Sequence, residues 1–186
     1  MEKATLQSFQ MEVEKQCRFA LMALQDLNQA LNEVLKSKDA KDIKRKDIER
    51  IWYSIHAFLT ASANISKLFW PPDSPHAERA ELRQSLSVGD DSPLAKRTPR
   101  NYLEHFDNRL EKWAKSTKSH RYIDLSIGSL DEIKAKDPDA DPGDFLRFFD
   151  YKKFAVYFRG DLYELQPIIE SIQALCTKAE VEASKP

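Results

Sequence analysis

The sequence predicts a mainly α-helical protein: an up-and-down helical bundle carrying a small antiparallel β-hairpin element and a C-terminal helix. Three observations predict it. Two long segments repeat apolar residues at three- and four-residue steps, the period of one helix face. Prolines and small polar clusters separate the segments. Beyond residue 121 the pattern changes to short runs of aromatic and β-branched residues, which suit strands.

The first helix is expected over residues 5–36, where Leu6, Phe9, Val13, Cys17, Ala20, Leu24, Leu27, Leu31 and Val34 form one stripe. Ser37 to Ala40 reads as a turn. A second helix is expected from Asp42 to Trp70, with Ile48, Ile51, Trp52, Ile55, Phe58, Leu59, Ile65, Leu68 and Phe69 on a wide apolar face. Pro71-Pro72 stops it, because neither residue can donate a helical hydrogen bond. A short helix from Pro75 to Leu86 follows, capped by Ser74 and facing inward through Ala77, Leu82 and Leu86. Residues 87–92 form a loop. The next helix ends near Ser116, and its buried face is Tyr102, Leu103, Phe106, Leu110 and Trp113. It starts at Pro99 under a Thr98 cap, or at Pro93 with a kink at Pro99. Tyr122 to Ile127 reads as a strand, and Asp137 to Asp144 as a stiff acidic loop. Phe145 to Phe149 and Phe154 to Phe158 read as a hairpin joined around Asp150 to Lys153. Gly160-Asp161 reads as a turn, and Pro167 opens the last helix, with Ile168, Ile172, Leu175 and Ala179 inward. The whole is expected to be one domain, a helical core over about residues 1–118 with a structural annex over about 119–186.

A chain of 186 residues buries roughly 70% of its unfolded surface, so it folds without disulfides or metal. With 41% hydrophobic and 32% charged residues it belongs with globular rather than disordered chains. A net charge of −1 excludes a protein whose entire surface grips nucleic acid or an anionic membrane. It leaves room for a local basic stripe. Cys17 and Cys176 sit in apolar helical contexts and read as reduced core thiols. The start of the chain lacks a basic segment followed by an apolar core, and no apolar run reaches the ~18 residues of a membrane span. The expected location is the cytoplasm, with no membrane contact and no cofactor.

One short constellation carries chemistry: Arg100-Asn101-Tyr-Leu-Glu-His105. Cleaving RNA without a metal requires a group that titrates near neutrality and a fixed cation for the charge developing on phosphorus. Histidine supplies the first, and arginine's planar donor fork the second. Steps of ~100° per residue place Arg100 and His105 about 140° apart on a helix, with Arg100 facing Glu104. His105 shares its face with Asn101, Asn108, Arg109 and Lys112, a polar and basic surface that suits a phosphate backbone. Arg50 and His56 repeat the residue types, but an apolar Ile51 follows the arginine and His56 is expected in the core.

The segment from Arg100 to His105 resembles the Arg-polar-x-His motif of the HEPN superfamily, helical domains of toxin–antitoxin pairs and other RNA-targeting systems. The resemblance implies a metal-independent endoribonuclease, or an RNA- or nucleotide-binding relative, whose motif residues meet across a homodimer. It implies that His105 is the general base or acid at the 2′-hydroxyl, that Arg100 binds the scissile phosphate and that Asn101 orients one of them. Asn108, Arg109 and Lys112 would then bind substrate, and an antitoxin protein becomes a possible partner. The alternative from a different class is a non-catalytic helical module that binds a protein partner.

Other patterns carry less. Asp137, Asp139 and Asp141 are spaced like the opening of a calcium loop, but Pro142 and Phe148 occupy positions that require glycine and an acid, so no metal site is expected. Lys112, Lys115, Lys118, His120 and Arg121 form a basic segment that suits a helix C-terminus. There is no P-loop, dinucleotide fingerprint, zinc spacing or nucleophile elbow.

Overall fold

The computed structural model describes residues 1–37, 42–71, 76–96, 105–116 and 123–185. The described part is mainly helical with a small four-stranded sheet. Its helices are α1 (Lys3–Leu35), α2 (Arg45–Phe69), α3 (Ala80–Ser85), α4 (Phe106–Ser116), α5 (Leu130–Lys136) and α6 (Gln166–Ala183). Its strands are β1 (Ser126–Gly128), β2 (Arg147–Asp150), β3 (Ala155–Phe158) and β4 (Asp161–Glu164). No helix among the described residues is long and apolar enough to cross a membrane.

Contacts divide the chain into two compact units, neither contiguous in sequence. One comprises Met1–Gln29, Tyr53–Arg100 and Pro167–Pro186, and the other Ala30–Trp52 and Asn101–Gln166. α6 from Pro167 on groups with the first unit, and the sheet with the second.

In the first unit, the α1 stripe buries Val13, Cys17, Ala20 and Leu27, while Leu24 stays half-buried. The amide of Asn64 donates to Gln16 Oε1 at 3.2 Å, tying α2 to α1. Gln7 reaches the carbonyl of Lys185, and Arg18 pairs with Glu180, so α6 lies along α1 in the opposite sense. Buried residues of α6 are Ile169, Ile172, Leu175 and Ala179. Ile169 takes the place expected for Ile168, which is only half-buried, because the buried stripe starts one residue later in the first turn. The expected Pro75–Leu86 helix is a 3₁₀ turn at His76–Arg79 leading into α3, and its Ser74 cap lies outside the described residues. Leu82 and Leu86 are buried there but Ala77 is exposed. Arg83, 8% exposed, donates to the Phe69 carbonyl at 3.0 Å and pairs with Asp90. The Ser37–Ala40 turn is described only at Ser37.

Burial has a chemical consequence at Cys17. Desolvation, with Cys176 close by, pushes its thiol up to about 12. A thiol with that pKa is thiolate in only roughly one molecule in 10⁴ at pH 8, and the thiolate is the nucleophile. Titration of the native protein with an aromatic disulfide reagent is therefore expected to leave Cys17 unreacted, and the denatured chain to consume two equivalents. Rapid native modification of both thiols would show that α1 opens. In the unfolded chain the thiol ionises near its ordinary 9.0, so between pH 9 and about 12 the folded state holds the extra proton. Stability should fall as pH rises through that window and be unaffected below it.

In the second unit the sheet runs β1-β2-β3-β4. In place of a lone hairpin, β2 and β3 pair antiparallel inside this four-stranded sheet, with Phe148 opposite Tyr157 and Phe149 opposite Val156. Two further strands join them, one overlapping the end of the expected Tyr122–Ile127 strand and one, β4, that the sequence pattern does not mark. β1 pairs parallel with β2, with Ile127 beside Phe149; of the expected Tyr122–Ile127 strand, Tyr122 lies outside the described residues, Ile123 forms an isolated bridge with Phe145, and Ser126 and Ile127 fall in β1. β4 pairs antiparallel with β3 through a two-residue loop, Arg159-Gly160, where a turn at Gly160-Asp161 was expected. Both loop residues have positive φ, 52° and 89°, as a type I′ hairpin turn requires. Asp150 is fully buried and its carboxylate accepts the amides of Leu130, Lys152 and Lys153. That one side chain shapes the β2–β3 loop and caps α5.

All four residues of β3 are buried, so both faces of the sheet are covered at that strand, while β4 is mostly exposed. On one face Phe148, Ala155 and Tyr157 pack with Phe145, Leu130 and Ile133. On the other lie Arg147, Phe149, Val156 and Phe158, by the alternation of side chains along each strand.

Candidate functional site

His105 occupies the turn immediately before α4 and is exposed. Its carbonyl accepts the amide of Arg109 at 3.2 Å, the first hydrogen bond of the helix. Asp107 in the first turn complements the positive end of the helix dipole. Arg100 and Asn101, with the question of whether Pro99 starts or kinks the helix, lie outside the described residues, as do Tyr102, Leu103, Lys118, His120 and Arg121.

The inner side of α4 is set by Trp113, 6% exposed, whose indole donates to the Asp144 carbonyl at 3.3 Å. Phe106, two turns earlier, is half-buried. Leu110, expected on this face, is 42% exposed. Counting ~100° per residue, Phe106 and Trp113 fall within about 20° of each other, and Arg109 and Leu110 lie about 50° to either side of their midpoint, so both sit at edges of the buried face. Arg109 is accordingly half-buried at the edge of the face, and not a fully exposed residue like Asn108 and Lys112. The same counting puts His105, Lys112 and Asn108 within about 60° of one another. The structure therefore keeps these three on one solvent-facing side, with Arg109 at its border. Lys115, a turn beyond Lys112, pairs with Glu111.

Next to this helix stands a group that spacing in the sequence does not reveal. Arg147 of β2 lies 4.7 Å from the Phe106 ring centroid and 6.0 Å from that of Trp52, and its Nε donates to Asp124 Oδ1 at 2.8 Å. Asp124 and Arg147 are remote in sequence, and the Ile123–Phe145 bridge and the parallel β1–β2 pairing on either side of Asp124 bring their segments together.

His56 is not a core residue. One step past Ile55 carries it to the flank of α2, where it is half-buried and lines an open groove of about 610 Å³ with Phe19, Tyr53, Ala57, Thr60 and Asn64. Three large apolar side chains border this groove and the hollow beside it: Phe19, Met22 and Tyr53, 51%, 63% and 73% exposed. Among the described residues no group of three His, Cys, Asp or Glu side chains is placed to hold a metal ion. Comparison of the chain with protein-family models, curated proteins and solved structures finds no match.

Proposed function

We propose that the chain is a HEPN-like helical domain that binds RNA or a nucleotide and cleaves RNA without metal, through Arg100, Asn101 and His105 of two copies. The observation that carries the reading is the placement of His105. It is exposed at the head of α4, and the side that it shares with Asn108 and Lys112 faces solvent, with Arg109 at the edge. A phosphate backbone lying there meets an imidazole followed by donors one and two turns on. In the proposed step the imidazole takes the 2′-hydroxyl proton and the freed oxygen attacks the adjacent phosphorus. The bond to the 5′ oxygen breaks, and that oxygen takes a proton from the second copy's histidine, which enters the step as imidazolium and leaves it as imidazole. Arg100 neutralises charge on the phosphorane and Asn101 holds one of these groups in line. An up-and-down helix arrangement, a cytoplasmic location and an inhibitory antitoxin partner belong to the same proposal. End-labelled RNA incubated with the protein should yield 2′,3′-cyclic phosphate and 5′-hydroxyl ends. Neither cleavage nor binding across a panel of structured and unstructured RNAs would sink the reading.

A second reading, a non-catalytic interaction module, is favoured by the groove on α1 and α2. We assign it to a second copy of this chain. Phe19 and Tyr53 project beside a floor of small residues, Ala57 and Ala61, and a two-fold contact requires knob and hollow on one patch. Light scattering should give about twice the 21.5 kDa chain mass, and Tyr53→Asp should return it to one chain mass. A wild-type monomer at high micromolar concentration would remove both the dimer and the composite site.

A further inference from the structure

Arg147 is a charged residue on a buried face. Its side chain is 14% exposed and shares a face of the sheet with Phe149. One edge of its guanidinium is used on Asp124: Nε donates to Oδ1, and a terminal nitrogen pairs with Oδ2. The plane of the cation is used as well, on the Phe106 ring at 4.7 Å. Burying such a pair contributes little net stability, because desolvation offsets the attraction and apolar residues of similar size often serve as well. What the pair supplies is geometry: a planar, bidentate group fixes the ring that it stacks on more tightly than an aliphatic chain can. That ring is the first residue of α4 and directly follows His105.

We propose that Arg147 is the positioning residue for His105. Held by Asp124, it clamps Phe106 against β2, which anchors the head of α4 and fixes where the exposed imidazole stands. One edge of its guanidinium is held by Asp124, one face lies on Phe106 and the side chain is mostly buried, so its effect passes through Phe106 rather than through contact with substrate. The catalytic consequence rests on the ribonuclease reading, whereas the clamp is testable without it.

The test uses the full chain. Amide hydrogen exchange is followed by NMR in wild type, Arg147→Met and Asp124→Asn. The reporter is the Arg109 amide, which closes the first hydrogen bond of α4 on the His105 carbonyl. Its exchange should speed up about tenfold in Arg147→Met and less in Asp124→Asn, with Val156 and Phe158 of β3 unchanged. Asp124 is 31% exposed, so its variant keeps the test alive if Arg147→Met does not fold. An unchanged Arg109 amide overturns the clamp. So does equal acceleration in β3, which would make Arg147 a support of the sheet as a whole. On an RNA that wild type cleaves, Arg147→Met should lower kcat about tenfold at unchanged KM, and Arg147→Lys should not restore it, lacking plane and fork. A raised KM at unchanged kcat would make Arg147 a substrate contact and overturn the proposal. A responding Arg109 amide in a protein that cleaves no RNA supports the clamp and removes the ribonuclease reading alone.

Discussion

Replacing His105 by alanine is expected to lower RNA cleavage by ~10²–10⁴-fold, the usual cost of removing a group that moves a proton in the transition state. The same substitution should change folding stability by less than about 0.5 kcal/mol, because the side chain is exposed and the position contributes to α4 through its carbonyl. The combination makes the experiment decisive: a large loss of activity with an unchanged melting curve places the defect in the chemistry. Arg100→Ala should lose activity in the same range through weaker stabilisation of charge on phosphorus. Cleavage should persist in EDTA, since the proposed step uses only an imidazole and a guanidinium. Activity that survives both substitutions would take the motif out of the mechanism, and activity abolished by EDTA would point to other chemistry.

Phe149→Ala is expected to destabilise the protein by about 3–5 kcal/mol, the largest stability effect of any single side chain discussed above. Phe149 is fully buried at the centre of β2, between Ile127 of β1 and Val156 of β3, and its ring meets that of Phe154 edge-on at 5.5 Å between centroids. Truncation removes the transfer energy of a whole ring and leaves a hole that two backbone ladders keep from collapsing. For a chain of this size the loss lowers the melting temperature by roughly 10 °C. Leu162→Ala on β4, where the side chain is 49% exposed, is the control and should cost well under 1 kcal/mol. A loss below about 1 kcal/mol at Phe149 would mean that the sheet does not share the stability of the chain, and chemical denaturation followed by tryptophan fluorescence measures it.

The periodic parts of the chain could be read directly. α1 and α2 lie within three residues of where their apolar steps put them, because a long amphipathic face repeats its signal many times over. Prolines end α2 for a local reason, the missing amide. The β2–β3 hairpin is likewise local, two aromatic runs around a short loop. The short α5 was missed although it carries its own start signal, Ser129 accepting the amide of Glu132, because Leu130 and Ile133 are too few to mark a face. β4 is not legible in the sequence, because its turn is Arg-Gly rather than the common Asn-Gly or Asp-Gly.

At the candidate site the division is sharper. The order Arg100, Asn101, His105 is a property of the sequence, and so is the polar side formed by His105, Asn108 and Lys112, since helix geometry alone relates residues a few positions apart. Which side of α4 is buried was settled by tertiary packing. Trp113 found the Asp144 carbonyl and Phe106 found Arg147, which turned Leu110 outward and Arg109 partly inward. Such contacts join segments tens of residues apart through strand pairing. Their energy comes from burial and hydrogen bonds that do not exist until the sheet has formed, so no local pattern in the chain announces them.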